Sequence, residues 1–303
     1  MLLKSGLNLP NVLIIGSQKC ASTWLRDMIS QHPDVYAVRP EIHFFDHDSN
    51  FSKGIHWYAG FFSSAGTQKV LCEKTPDYIW NNSANFVNEP NDKPARIYGL
   101  IPDAKLIVVL RDPVDRALSA WGHLKKTGKI PLSMDINSIF NSGIYSVAEQ
   151  YGVLSRGMYH KQLQDFLQFF PRNQLKIIYQ ERDVHDYPRD TLKEVCKFVG
   201  IDQNFDFEGL DKKANENVTT LLGAKFISSS SKTVRFISRQ VDKRVFQHTP
   251  MKKIPKAYFE PEVLRQVEEF YLDDTTKLDQ SFGPVPDSWF IRQHFEAPEE
   301  TRW

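Results

Sequence analysis

Only three cysteines (Cys20, Cys72 and Cys196) occur in 303 residues, with no CxxC pair and no metal-ligand spacing. So sparse and odd a set excludes a disulfide framework and suits a reducing, cytoplasmic setting. No apolar run approaches the roughly 20 residues that span a bilayer. The apolar part of the N-terminal MLLKSGLNLPN is too short for a secretory signal. An excess of one charge is missing as well. With 38 Lys+Arg against 37 Asp+Glu the net charge is +1, so the chain is not a general nucleic-acid binder, and any taste for anions must come from local clustering. There is no internal repeat and no linker long enough to force a split, so residues 1–303 are expected to form a single domain. Hydrophobic residues at 41% and charged ones at 25% are ordinary for a folded chain with a large core. The N-x-[ST] tripeptides at Asn50, Asn81 and Asn217 are at chance level.

What is present is organised around residues 12–25, VLIIGSQKCASTWL. Val12, Leu13, Ile14 and Ile15 are the short apolar run of a strand buried on both faces of a parallel sheet. Gly16 breaks the run, Ser22 and Thr23 are residues of the N-cap type, and Trp24, Leu25, Met28 and Ile29 recur at helical spacing. A strand, a tight turn and a helix N-terminus in that order converge free N–H groups and the positive end of the helix dipole on one point, where an anion sits well. Lys19 adds a full charge at its mouth. A Walker loop needs G-x-x-x-x-G-K-[ST]. Here Lys19 follows Gly16 by three residues, and Cys20 and Ala21 replace the magnesium-binding hydroxyl. The other reading is a plain buried strand and turn with a surface lysine.

Further along, residues 32–46 read as a loop, 54–62 as a short aromatic helix, 69–73 as a strand, 94–100 as a helix and 105–110 (KLIVVL) as the clearest strand. Pro113 suits the first turn of a helix whose stripe is Val114, Ala117, Leu118 and Trp121. Residues 158–170 form an amphipathic helix, 174–179 a strand, 189–199 a helix ended by Gly200, and 262–278 a last helix. Alternation of this kind predicts an α/β fold, a central parallel sheet flanked by helices. Residues 205–258 are irregular, and 259–303 are a helix and tail. Between residues 225 and 253, eight Lys or Arg against one Asp leave a local charge of +7. That segment suits a pocket rim or a solvated face. Its helical spacing of Val234, Ile237, Val241 and Val245 also suits an anionic membrane surface, which is not the favoured reading.

Arg111 ends the best strand, at the sheet edge where open α/β sheets bind ligands. Ser119 lies about two helical turns on. An arginine fork and a hydroxyl in that arrangement can clamp a phosphate; alternatively, Arg111 and Asp112 form a local ion pair at the helix start.

With these residues in place the chain resembles sulfotransferases that use 3′-phosphoadenylyl sulfate (PAPS), above all the branch acting on heparan-type glycans and its bacterial relatives. Residues 16–25 resemble that family's 5′-phosphosulfate loop, and residues 110–119 its 3′-phosphate motif. The segment EIHFFD at 41–46 is similar to one that carries a catalytic glutamate in the glycan branch. EKTP at 73–76 matches too, as do the FP, ERD and FVG landmarks between residues 157 and 200. The resemblance implies a P-loop-kinase-like sulfotransferase fold, PAPS as co-substrate, adenosine 3′,5′-bisphosphate (PAP) as product, no metal, and a glycan or small-molecule acceptor.

Residue by residue, it implies that Ser17, Gln18, Lys19 and Trp24, with the N–H groups of Cys20, Ala21, Ser22 and Thr23, hold the 5′-phosphosulfate. Arg111 and Ser119 would hold the 3′-phosphate. Glu41 would be the general base, His43 would orient it or share its proton, and Lys74 would sit near the sulfuryl group. Each has a plainer alternative: a solvated carboxylate, a packed histidine, a surface lysine. Two departures stand out. Ala21 replaces the usual glycine, and the Lys-Gly-Arg turn that closes over the 3′-phosphate is replaced by a stretch with Lys252 and Lys253 but no glycine. The paired C-terminal cysteines of secretory members are absent, which favours a cytosolic enzyme. A P-loop ATP-dependent kinase and a catalytically silent nucleotide-binding or membrane-docking module are the alternatives; oligomeric state is open.

Overall fold

The computed structural model describes residues 6–80, 92–210 and 256–290. Its centre is β1 (Val12–Gly16), with all five residues buried. On one side β1 pairs with β3 (Val70–Lys74), and β3 with β2 (Val35–Ala37); on the other it pairs with β4 (Lys105–Leu110), and β4 with β5 (Leu175–Tyr179). Every pairing is parallel and the order is β2-β3-β1-β4-β5. The sheet is therefore the predicted one, with its switch point at β1. A crevice opens beyond the carboxyl ends of β3, β1 and β4 at such a point.

Strand alternation sorts the apolar side chains to two faces. Leu13, Ile15, Leu106, Val108 and Leu110 pack with Phe44, Phe45, Tyr58 and Phe166. Val12, Ile14, Ile107 and Val109 pack with Trp24, Leu25 and Met28 of α1 (Ser22–Ile29) and with Leu192 and Val195 at the other end of the chain's described first 210 residues. Short helices α2 (Asp48–Phe51) and α3 (Gly54–Gly60) lie between β2 and β3 in the chain, and α4 (Lys93–Leu100) precedes β4. α5 (Pro113–Lys126) starts with proline in its first turn, and Asp112 caps it by accepting from the N–H groups of Val114 (2.9 Å) and Asp115 (3.2 Å). Then come α6 (Ser142–Glu149), α7 (Tyr159–Leu167), α8 (Pro188–Val199) and α9 (Pro261–Phe282). α5 and α9 share a third cluster, in which Val114, Ala117 and Trp121 meet Val267 and Tyr271. Gly200, at φ 86°, ends α8 in the left-handed conformation expected of a helix stop.

Four strands and seven of the helices fall within a few residues of their predicted places. β2 lies in the stretch expected to be loop, and no element is expected over α2 or α6. β2 has only three residues, too few for a period, and α6 opens on Ser-Gly, which reads as a turn. The basic segment at 225–253 lies outside the described residues. Among the described residues no helix is long and apolar enough to cross a membrane.

Candidate active site

The turn after β1 is shaped by close approach. A Cβ on Gly16 would lie 2.4 Å from Ile79 Cγ2, so only glycine lets β1 pack under the segment that follows β3. The Ser17 N–H donates to Val109 O (2.8 Å), and the chain then passes through two left-handed residues, Lys19 (φ 71°) and Ala21 (φ 67°). This geometry corrects the reading of Ser22 and Thr23 as caps. Ala21 occupies the cap position of α1, where it has no side chain to offer the helix, and Ser22 is the first helical residue. The leading amides of α1 are thus left without a side-chain cap, as an anion cradle requires. The Cys20 N–H, expected to join them, instead closes a turn onto Ser17 O (3.3 Å). The Cys20 and Trp24 side chains are buried in the core, so neither faces the cradle. Burial, against a contact with the Tyr159 hydroxyl, pushes the Cys20 thiol up to about 11. Gln18 is half-buried and its carbonyl accepts from Cys20 Sγ (3.5 Å). Ser17 Oγ is buried with no hydrogen-bond partner among the described residues, an orphaned polar group beside the cradle.

Positive charge gathers here, with Lys19, Arg111, Lys126 and Lys129 acting on one another and on His123. Burial, then Lys126 and Arg111, holds the Lys19 ammonium below its ordinary range. Desolvation, then Lys19, Lys129 and Lys126, holds His123 down at about 4. Arg111 leaves β4 and makes a half-exposed 3.4 Å contact with Asp115, not with Asp112, whose carboxylate is committed to capping α5. Such a contact is worth little and yields readily to a phosphate. The Arg111 carbonyl accepts from the Tyr159 hydroxyl (2.8 Å), which also meets Cys20 Sγ (3.6 Å), so one tyrosine ties the two strand ends together. Ser119 is half-buried on α5. A ligand with phosphates at both ends fits this chemistry: an uncapped helix start and orphan hydroxyl at one strand end, an arginine at the next. Lys252 and Lys253 lie outside the described residues.

Across β1 stands the carboxylate. Lys74, the last residue of β3, is buried, and its ammonium donates both to Thr23 Oγ1 (3.2 Å) at the head of α1 and to Glu41 Oε1. Glu41 Oε2 lies 3.6 Å from His43 Nε2. His43 has φ 53°, a left-handed conformation that its loop holds through Asn50, whose amide donates to the carbonyls of Ile42 (3.1 Å) and His43 (3.0 Å). His43 Nδ1 meets Asp46 Oδ2 at 2.7 Å and Asp77 Oδ2 at 3.9 Å; Asp77 in turn holds Arg156, which lies over the Trp80 ring.

Three carboxylates therefore interleave with three cations. Burial lowers the His43 imidazole, but its bonds to Asp46 and Glu41 outweigh that and raise it to about 10, so it is an imidazolium at neutral pH. Burial pushes the Glu41 carboxyl up, and the hydrogen bonds from His43 and Lys74 more than reverse this, leaving it below its ordinary range. Glu41 is thus held as a carboxylate between the Lys74 ammonium and the His43 ring, whose other nitrogen meets Asp46. His43, Asp46 and His47, and likewise Glu41, His43 and Asp77, are spaced so that they can surround a metal ion.

Glu41, Lys74, His43 and Lys19 were all legible as candidates; Asp77, Arg156 and Tyr159 were not, because contacts between residues 48 to 79 positions apart leave no local pattern. The Sulfotransferase domain family model matches residues 9–281. Mouse (Mus musculus) heparan sulfate glucosamine 3-O-sulfotransferase 3B1 is 35% identical over 194 residues, 64% of this chain and 46% of that protein. Mouse 3-O-sulfotransferase 6 of the same series is 34% identical over 193 residues, 63% and 52% of the two chains. The chain thus spans about half the length of the curated relatives it matches. A sulfotransferase from Alicyclobacillus acidocaldarius shares the fold, with a TM-score of 0.67, 20% identity, and coverage of 94% of this chain and 100% of that one. With a parallel sheet switching at β1, an uncapped anion cradle and a family match over nearly its whole length, the chain belongs to the sulfotransferase domain family.

Proposed function

We propose that this chain moves a sulfuryl group from PAPS to a hydroxyl or amine of an acceptor, with Glu41 as general base. The observation that carries this reading is Lys74, whose ammonium touches both the head of α1 and the Glu41 carboxylate, setting a phosphosulfate cradle and a base within reach of one side chain. Bound in the cradle, PAPS supplies an electrophilic sulfur with PAP as its leaving group. Lys19 and the first amides of α1 hold the 5′ end and offset charge on the departing oxygen. Arg111 and Ser119 hold the 3′-phosphate. Glu41 takes the proton of the acceptor as its oxygen or nitrogen bonds to sulfur and the S–O bond to PAP breaks. His43, fixed by Asp46 and Asp77, keeps Glu41 aimed and ionised. No metal is needed, because lysines and helix amides supply the positive field. The named relatives support a carbohydrate as acceptor, and the three free, buried cysteines support a cytoplasmic setting.

The test is transfer of labelled sulfate from PAPS to a panel of glycans and small hydroxyl compounds, with EDTA present. Glu41→Gln is expected to bind PAP with wild-type affinity by calorimetry and to turn over about 10²-fold more slowly. Unchanged turnover removes Glu41 from the chemistry, and a requirement for magnesium revives the kinase reading.

A further inference from the structure

β3 ends on two polar residues that face opposite ways. Lys74 reaches toward α1 and Glu41, whereas Glu73, fully buried, projects into the aromatic core on the other side. Glu73 gathers three hydroxyls there. Its Oε1 accepts from Thr75 Oγ1 (2.8 Å) and from the Tyr78 hydroxyl (2.6 Å), and its Oε2 accepts from the Tyr58 hydroxyl of α3. Both tyrosines go on to grip Phe44. The Tyr78 oxygen accepts the Phe44 N–H (3.0 Å), and the Tyr58 ring stacks on the Phe44 ring with centroids 4.3 Å apart and planes 7° from parallel. Phe44 is the neighbour of His43 in the loop that carries Glu41. The loop is thus held from both faces of one strand, by Lys74 on the side chain of Glu41 and by Glu73, through its tyrosines, on the backbone and ring of Phe44.

A leucine at 73 would fill this core without the cost of burying a carboxyl. What a polar group does here and a leucine does not is join β3, α3 and the turn after β3 to one backbone amide of the site loop. We propose that Glu73 is a positioning residue for the sulfuryl-transfer step, acting through Tyr78 and Tyr58 to hold residues 41–46 so that Glu41 meets the acceptor. This rests on the reading of Glu41 as general base.

Tyr78→Phe removes the link to the Phe44 N–H and keeps the ring, so the core stays filled. It is expected to lower kcat about ten-fold or more, the scale of a loss of alignment at the reacting atoms, and to leave the KM for PAPS within two-fold. In the Glu41→Gln background the same change is expected to have no further effect on kcat, because both act through one group. Glu73→Gln, which keeps an acceptor oxygen for Thr75 and Tyr78, is expected to retain most of the turnover that Glu73→Leu loses. An unchanged kcat in Tyr78→Phe, or a loss that persists at full size in the Glu41→Gln background, overturns the proposal while leaving the general base standing. A Glu41→Gln enzyme with full turnover defeats the base reading itself, and the positioning role falls with it.

Discussion

Ala21 is where one residue's chemistry is most at odds with its place. At φ 67° its methyl group is held in a conformation that costs an L-residue about 1–2 kcal/mol. Glycine removes that cost but gives back about 0.4–1 kcal/mol through the freer unfolded chain. Ala21→Gly is therefore expected to stabilise the fold by about 0.5–1 kcal/mol, read as a higher urea midpoint, and not to weaken PAP binding. A lower midpoint would mean that the methyl makes a contact worth more than its strain. The glycine usual at this position in similar chains was a legible departure in the sequence; that it matters through φ was not, because nothing in QKCAST marks two left-handed residues in one short turn.

Among the elements, α5 shows how a helix start serves a site by keeping its own cap apart from its neighbour's charge. Asp112 is spent on the Val114 and Asp115 amides, and its own N–H donates to Glu181 Oε1 (3.0 Å), while the Arg111 guanidinium turns to the half-exposed Asp115 carboxylate instead. Asp112→Ala is expected to cost about 1–2 kcal/mol in chemical denaturation, as loss of an N-cap does. The strand-then-helix pattern around Arg111 was readable because β-branched runs and Pro113 are local signals. The Glu181 contact was not, since it joins residues 69 positions apart. The ERD landmark was visible, with no hint that its glutamate also accepts from Trp289 Nε1 (3.2 Å).

For the whole molecule, two ionisable groups, the buried Glu73 and the half-buried His43, bend stability the same way. Burial, against hydrogen bonds from Tyr58, Tyr78 and Thr75, raises Glu73 from its ordinary 4.5 to about 7. The folded state therefore binds a proton that the unfolded chain has released, and this contribution falls as pH climbs from 4.5 to about 7. His43, raised from 6.5 to about 10, adds stability that is complete below 6.5 and lost as pH rises through 10. Urea midpoints are expected to decline from about pH 7 toward pH 10; below pH 6.5 the gain that comes with His123, held down at about 4, runs against the loss at Glu73. His43→Asn should flatten the alkaline decline, and Glu73→Gln should leave a midpoint that rises more steeply from pH 5 to pH 6.5; an alkaline decline that survives His43→Asn at full size would contradict the His43 assignment. Nothing in the sequence foretold this. EKTP and EIHFFD show the groups, and only the fold shows which are buried and with whom.

The ends of β3, β1 and β4 carry Lys74, the Lys19 turn and Arg111, and adjacent strands in a sheet stand about 4.8 Å apart. In the proposed reaction that spacing works as a caliper whose jaws are backbone ladders, not side chains. Donor length is thus gauged by hydrogen-bonded backbone, and an analogue with its two anionic ends closer together or farther apart fits only one jaw.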